Sequence, residues 1–282
     1  WDTPFETAPF EKIKVEHYLP AFEAAIAEHN KEIQAIIDNA EAPTFDNTIA
    51  ALDYSGETLS KVAGVFFNMM AANTSEELQK VNEQVGPMMA THSDNVSMNA
   101  KLFEKIKAVY DAKDSQKYTG EQLALLEKTY NKFVRSGALL DAAKQEELRK
   151  VNAELTKVES KFDANLLKES KAYQLVIDKE ENLKGLPQGE IEKAAALAKQ
   201  EGKEGKWIFT LDNPSFMPFV TYADNRDLRK EIFNARVNRC NNGGETDNNA
   251  LVAQMAELRA QKAQILGYET FAHYQLEERM AK

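Results

Sequence analysis

Apolar residues recur along this chain at helical spacing, and nearly every long segment carries a single apolar stripe. Tyr18, Phe22, Ile26, His29, Ile33, Ile36 and Ile37 share one face of a first predicted helix. Pro20 is placed in its first turn, where a missing N–H is tolerated. Ala42-Pro43-Thr44 breaks the pattern, and Asp46 or Asn47 is placed to cap the next helix. Its stripe is Ile49, Leu52, Gly56, Leu59, Ala63, Phe66 and Met70, and the small Gly56 and Ala63 would let a neighbouring helix approach closely. Phe66, Phe67, Met69 and Met70 read as core rather than pocket lining. Thr74 with Glu77 forms a predicted capping box that opens a long helical segment, which Pro87 should kink.

The pattern continues with a helix from about Asn99 to Ala112, carrying Leu102, Phe103, Ile106, Val109 and Tyr110. Thr119 with Gln122 predicts a second capping box at the start of Gly120–Arg135. Asp141–Ser170 follows as a long helix with Leu148, Val151, Leu155, Val158, Phe162 and Leu166 on its stripe. Period-two alternation replaces the helical period at Tyr173–Ile177 and again at Trp207–Leu211, which predicts two short strands. Between them lie a turn at Leu183–Pro187 and an Ala-rich helix at Glu190–Gln200. Asp212-Asn213-Pro214 is a turn signal. Three helical patterns follow it, and the last long one runs from about Asn248 to a stop at Gly267. The predicted fold class is all-α, mainly long antiparallel helices, with one small two-stranded β element; repeated helical hairpins leave a solenoid as an alternative architecture. The predicted organisation is an extended arm over 1–16, a helical domain over 17–170, the β element with its intervening helix over 171–212, and helices over 213–282.

Composition narrows the possible functions. With 282 residues, 43% hydrophobic and 28% charged, the chain can bury a large core and is not compositionally disordered. A net charge of −10 argues against a general nucleic-acid binder, because phosphates are repelled on average. Cys240 stands alone, so no disulfide within the chain is possible, and with no His beside it an inert thiol is expected. No apolar run reaches the length needed to span a bilayer. The first residue is Trp1, not Met, so the residues leave the compartment open: cytoplasmic, or periplasmic and cell-envelope if a signal preceded Trp1.

Two blocks carry a specific resemblance. One is Phe133-Val134-Arg135-Ser136-Gly137-Ala138 through Phe162-Asp163-Ala164-Asn165-Leu166-Leu167. The other combines Asn213-Pro214-Ser215, Tyr222-Ala223-Asp224-Asn225-Arg226-Asp227-Leu228-Arg229, Asn241-Asn242 and Leu258-Arg259-Ala260-Gln261-Lys262-Ala263-Gln264-Ile265-Leu266-Gly267-Tyr268. Together they resemble the thimet oligopeptidase and peptidyl-dipeptidase Dcp family of zinc metallopeptidases. The resemblance covers nearly the whole chain and is looser before residue 130. It implies a neurolysin-like, thimet-oligopeptidase-like N-terminal part in which helices form one wall of a channel for short peptides. The zinc and its catalytic half would then lie outside this chain. The Asn-Pro-Ser segment and the ending Leu276–Lys282 lean toward the dipeptide-releasing members.

The zinc signature of that family is His-Glu-x-x-His, with two imidazoles one helical turn apart and a Glu to activate water. His17, His29, His92 and His273 are followed by Tyr18, Asn30, Ser93 and Tyr274, and no two are four apart. No catalytic or metal-binding residue is therefore carried onto this chain, and zinc is expected only in the full-length enzyme. His29 reads as a hydrogen-bonded core histidine, and His92-Ser93-Asp94 as a solvated or capping trio rather than ligands. Arg229 and Arg236 lie on nearly one face together with Ile232 and Phe233. They are candidates for a peptide carboxylate, but pairing with acidic neighbours is the expected reading. The expected partners are short peptides and the absent catalytic half, with no nucleic acid and no membrane span. The function expected is the substrate-channel part of a peptidyl-dipeptidase. The alternatives are an endo-acting oligopeptidase, or a stand-alone helical binding or scaffold protein without catalysis.

Overall fold

A computed structural model describes residues 2–281. Trp1, at the head of the predicted arm, and Lys282, the last residue of the predicted helical run, lie outside the described residues. The chain divides into two compact units. One is formed by the chain up to Lys157 together with the chain from Ala256 onward; the other is Val158–Met255.

The first unit is helical. It contains α1 (Val15–Asp38), the short α2 (Ala51–Tyr54), α3 (Glu57–Ala72), α4 (Glu76–Ser97), α5 (Ala100–Asp111) and α6 (Gly120–Arg135). The first part of α7 (Ala142–Ala172), the last part of α11 (Asn249–Ile265) and the short α12 (Phe271–Leu276) complete it. Helix α1 packs against α3, α4 and α5. Its predicted stripe is inside: Tyr18, Phe22, Ile33 and Ile36 are buried, and Phe22 and Tyr18 meet Phe66 edge-on at 5.4 and 5.0 Å. Full burial of each such side chain stabilises by about 1.5–3 kcal/mol relative to exposure. A second cluster joins Ile33 and Ile49 to Leu102, Ile106, Leu126 and Phe133, with Tyr110 stacked on Tyr130 at 3.9 Å between ring centres.

Several local expectations are corrected. Helix α1 begins at Val15, so Pro20 lies inside the helix rather than in its first turn. The next helical segment is capped by Thr44, not by Asp46 or Asn47. Thr44 Oγ1 accepts from the Asn47 N–H at 3.1 Å while Asn47 Oδ1 accepts from the Thr44 N–H at 2.8 Å. The turns that follow, Phe45–Ala50, are wound as a π-helix. Ser75 rather than Thr74 caps α4, accepting from the Leu78 N–H at 3.2 Å. Pro87, where a kink is predicted, lies inside α4 and does not end it. The Thr119–Gln122 box forms as expected, with both hydrogen bonds present.

The second unit holds β1 (Leu175–Ile177), α8 (Gln188–Gln200), β2 (Trp207–Phe209), α9 (Asn213–Tyr222) and α10 (Arg226–Val237), with the last part of α7 and the first of α11. The strands pair antiparallel, with Leu175 opposite Phe209 and Ile177 opposite Trp207. Asp212-Asn213-Pro214 is a helix start rather than a free turn: Asp212 is the N-cap residue and Pro214 lies in the first turn of α9. The core gathers Leu175, Ile177, Phe209, Leu211, Phe216, Phe219 and Ile232. Gly185 permits one close crossing. Its φ is +88°, and a Cβ there would lie 2.1 Å from the Tyr222 carbonyl oxygen. The described residues are thus mainly helical with one small two-stranded sheet, as the periodicity predicts.

Candidate functional site

The side chains with chemistry fall into three clusters, and each lies within one unit. In the second unit, Glu169 on α7 gathers the segment that follows α10. Its Oε2 accepts from the Cys240 N–H at 2.9 Å and the Thr246 hydroxyl at 2.8 Å, and its Oε1 accepts from Asn242. Asn248, only 3% exposed, completes the clamp. Its N–H donates to Cys240 O at 2.8 Å and its side-chain amide to Phe162 O at 3.1 Å, while its Oδ1 accepts from Asn165 at 2.8 Å. Cys240 is left at φ +55°, a left-handed conformation that non-glycine residues adopt only when held. Burial, and then the hydrogen bond to Glu169, push its thiol up to about 11. A thiol so far above neutral pH is not a nucleophile, which fits the inert role expected for it.

Arg229 and Arg236 also lie in this unit, and each has its own set of hydrogen-bond partners. Arg229 donates to the carbonyls of Ala223 and Asp224, the latter at 3.0 Å. Arg236 donates to Leu211 O and, at 2.6 Å, to Asn213 Oδ1, with its guanidinium 4.4 Å from the Phe216 ring centre. Their partners are backbone carbonyls and an amide rather than the carboxylates expected. Both arginines tie loops to α9 and α10. Ile232 is fully buried as expected, whereas Phe233, assigned to the same arc, is 51% exposed.

In the first unit, Arg135 at the end of α6 holds the last helix. Its guanidinium donates to Tyr268 Oη at 3.1 Å and to Tyr274 O at 2.6 Å, pairs with Glu277, lies 3.6 Å from Glu278, and sits 4.4 Å from the Tyr274 ring centre. Burial and then a hydrogen bond to Glu277 raise the Tyr268 phenol to about 12. Lys132, Arg135, Ser136, Tyr274, Glu278 and Arg279 border a cavity of about 320 Å³ beside this anchor.

The third cluster brings His29 on α1 to His92 on α4, 63 positions apart, with Nδ1 of the first 2.9 Å from Nε2 of the second. His92 is therefore a buried side chain with a histidine partner, not a solvated trio with Ser93 and Asp94. His17 caps the start of α1, its Nδ1 accepting the Lys14 N–H at 3.1 Å. His273 stays beside Thr270 at the start of α12. Zinc does not fit the His29–His92 pair. Two bonds of about 2.0–2.1 Å at a tetrahedral angle set the nitrogens about 3.4 Å apart, against 2.9 Å here, and a zinc site needs further ligands beside the two imidazoles. Among the described residues, no three His, Cys, Asp or Glu side chains gather into a metal-holding group.

Residues 219–282 match the family model for Peptidase family M3. Nearly the whole chain is similar to particular peptidases. It is 34% identical over 279 residues to the dipeptidyl carboxypeptidase of Escherichia coli, covering 99% of this chain and 41% of that protein. It is 28% identical over 287 residues to oligopeptidase A of Escherichia coli, covering 99% and 42%. It is also 28% identical over 283 residues to the probable cytosolic oligopeptidase A of Arabidopsis thaliana, covering 98% and 40%. The resemblance read from the two sequence blocks is thus shown along the length of the chain. The chain spans about two fifths of the length of the curated relatives it matches.

Sequence reasoning missed Glu169, Asn165 and Asn248, and it missed the partnership of His29 with His92. The signal for Asn248 was the density of Asn, Gly and Asp over residues 238–249, too polar for a helix and too long for a tight turn; Glu169 and Asn165, on α7, carried none.

Proposed function

We propose that this chain is the amino-terminal, substrate-channel part of a zinc-dependent peptidase that hydrolyses short peptides and releases dipeptides from their carboxyl ends. The observation that carries this reading is the similarity over 99% of the chain to a dipeptidyl carboxypeptidase, at 34% identity against 28% for an oligopeptidase A. The zinc, its ligands and the water-activating Glu would be supplied by sequence beyond this chain, and the residues here would shape and support a wall of the peptide channel. Endo-cleavage of oligopeptides is the second reading, supported by the similarity to the oligopeptidases. The test is to purify the chain alone and the longer gene product. The longer protein should hold one zinc and cut peptides with a free carboxyl end while sparing their amidated forms. The chain alone should hold no stoichiometric zinc and cut neither. Cleavage of the amidated peptides by the longer protein would favour the endo-acting reading. Stoichiometric zinc with hydrolysis by the chain alone would overturn the assignment.

A further inference from the structure

The histidine pair has a defined proton arrangement. Ser55 lies just before Gly56, at the junction of α2 and α3. Its hydroxyl donates to Leu52 O at 2.7 Å. That uses its one proton, so towards His29 Nε2, 3.1 Å away, Ser55 Oγ can only accept. His29 therefore carries its proton on Nε2. Its Nδ1 is a bare acceptor, and the proton between the rings belongs to His92 Nε2. The relay runs from His92 to His29 to Ser55 to Leu52 O, tying α4, α1 and the junction together. Gly56 closes it: its N–H donates to Glu32 Oε2 at 2.7 Å, and a Cβ at this φ of +75° would press on the His29 ring at 3.1 Å. Ser55, His29 and His92 also have the spacing of an acyl-transfer relay. The adjacent Gly56 N–H is however occupied by Glu32, and a nucleophile without an oxyanion donor stabilises no tetrahedral intermediate.

We propose instead that His29 and His92 form an acid-sensitive latch that holds α4 and the Ser55–Gly56 junction onto α1 and releases them when both rings are protonated. The first added proton is accommodated, because His92 can take it on Nδ1 and still donate through Nε2. The second places an N–H on His29 Nδ1 facing the N–H of His92 Nε2, and the link becomes a contact between two like charges. Burial lowers the affinity of both rings for protons, and each is further affected by its neighbours. The Glu32 carboxylate on α1 opposes that lowering at His29, while Lys132 on α6 adds to it. At His92, after burial, it is His29 that disfavours charge. Glu28 is engaged by Thr58 at the start of α3, and Asp94 on α4 accepts from Asn152 on α7. Both histidines thus titrate below their ordinary range in the fold. The unfolded chain takes up protons first. The latch's contribution is complete above the ordinary histidine range and is lost as pH falls through the lower folded values. This inference does not depend on the peptidase reading.

The test is amide hydrogen exchange on the full chain from pH 7.5 to 4.5, corrected for intrinsic chemical rates. Peptides covering residues 52–58 and 85–97 should lose protection on acidification. The loss should be steepest between the ordinary histidine range and the lower folded values, reaching at most about 100-fold per pH unit where opening takes up two protons, and should level off below both folded values. His92→Gln keeps a donor where Nε2 lies but cannot titrate, so its slope should not exceed about tenfold per unit. A wild-type profile flat across this range, or a His92→Gln profile that follows the wild type, would overturn the latch. If that variant does not fold, nitrogen NMR of the wild-type histidines at pH 8 decides: both should carry the proton on Nε2, and a proton on Nδ1 of either would overturn the relay.

Discussion

Replacing Glu169 with Ala should loosen the second unit and awaken its thiol together. Glu169 accepts three hydrogen bonds, from the Cys240 N–H, the Thr246 hydroxyl and the Asn242 amide. Asn242 is exposed and Thr246 half-buried, so water replaces much of what those two lose. The Cys240 N–H belongs to a residue only 5% exposed and would be left without an acceptor, at a cost of about 1–3 kcal/mol. Adding a fraction of the other two bonds gives about 2–4 kcal/mol. Glu169→Gln keeps a carbonyl for the Cys240 N–H and should lose only about 1 kcal/mol. Urea unfolding followed by circular dichroism measures both. Iodoacetamide labelling provides a second readout: Cys240 should label slowly at pH 8, because its thiol sits near 11, and faster in Glu169→Ala, where the bond that helps raise it is gone. A Glu169→Ala protein within about 0.5 kcal/mol of wild type, the scatter of ordinary surface substitutions, with unchanged labelling would refute the clamp.

Other positions give sharper yes-or-no outcomes. Arg135→Met keeps bulk against Tyr274 but removes every donor, so α12 should become the preferred site of limited proteolysis, with a global loss of about 1–3 kcal/mol; an unchanged digestion pattern would deny Arg135 its anchoring role. Gly185→Ala puts a methyl 2.1 Å from the Tyr222 carbonyl oxygen in a left-handed conformation, and a fall in stability of at least about 2 kcal/mol is expected in thermal unfolding. A neutral result would mean that the crossing of the 185 turn and the end of α9 is looser than described.

Where apolar periodicity decides a structure, the sequence was a good guide. Gly120–Arg135 forms as predicted, and the helix predicted to stop at Gly267 ends in a Schellman turn. There the Tyr268 N–H reaches Ala263 O at 2.8 Å and the Gly267 N–H reaches Gln264 O at 3.0 Å. Both strands appear where the period changes from helical to two. Caps were less legible, because Thr44 and Thr74 each have another capping residue within three positions and the choice rests on local backbone geometry. The polar clusters were not legible. His29 and His92 are 63 positions apart, and Glu169 lies 71 to 77 positions before its partners. Nothing in a one-dimensional pattern pairs such residues; only the packing of apolar faces brings them together. Arg229 and Arg236 show the converse. Their spacing predicted pairing with acidic neighbours, yet Arg229 donates to the main chain at Asp224 and Arg236 to the main chain at Leu211 and to the Asn213 amide.

The proposed role of this chain is the channel-forming part of a metallopeptidase whose chemistry lies further along. Reading the coding frame past Lys282 tests that most directly. It should continue for several hundred residues and contain His-Glu-x-x-His on a helical pattern, followed by a later Glu on a second one. A frame that closes directly after Lys282 would contradict it and leave a helical protein related to peptidases but without their reaction.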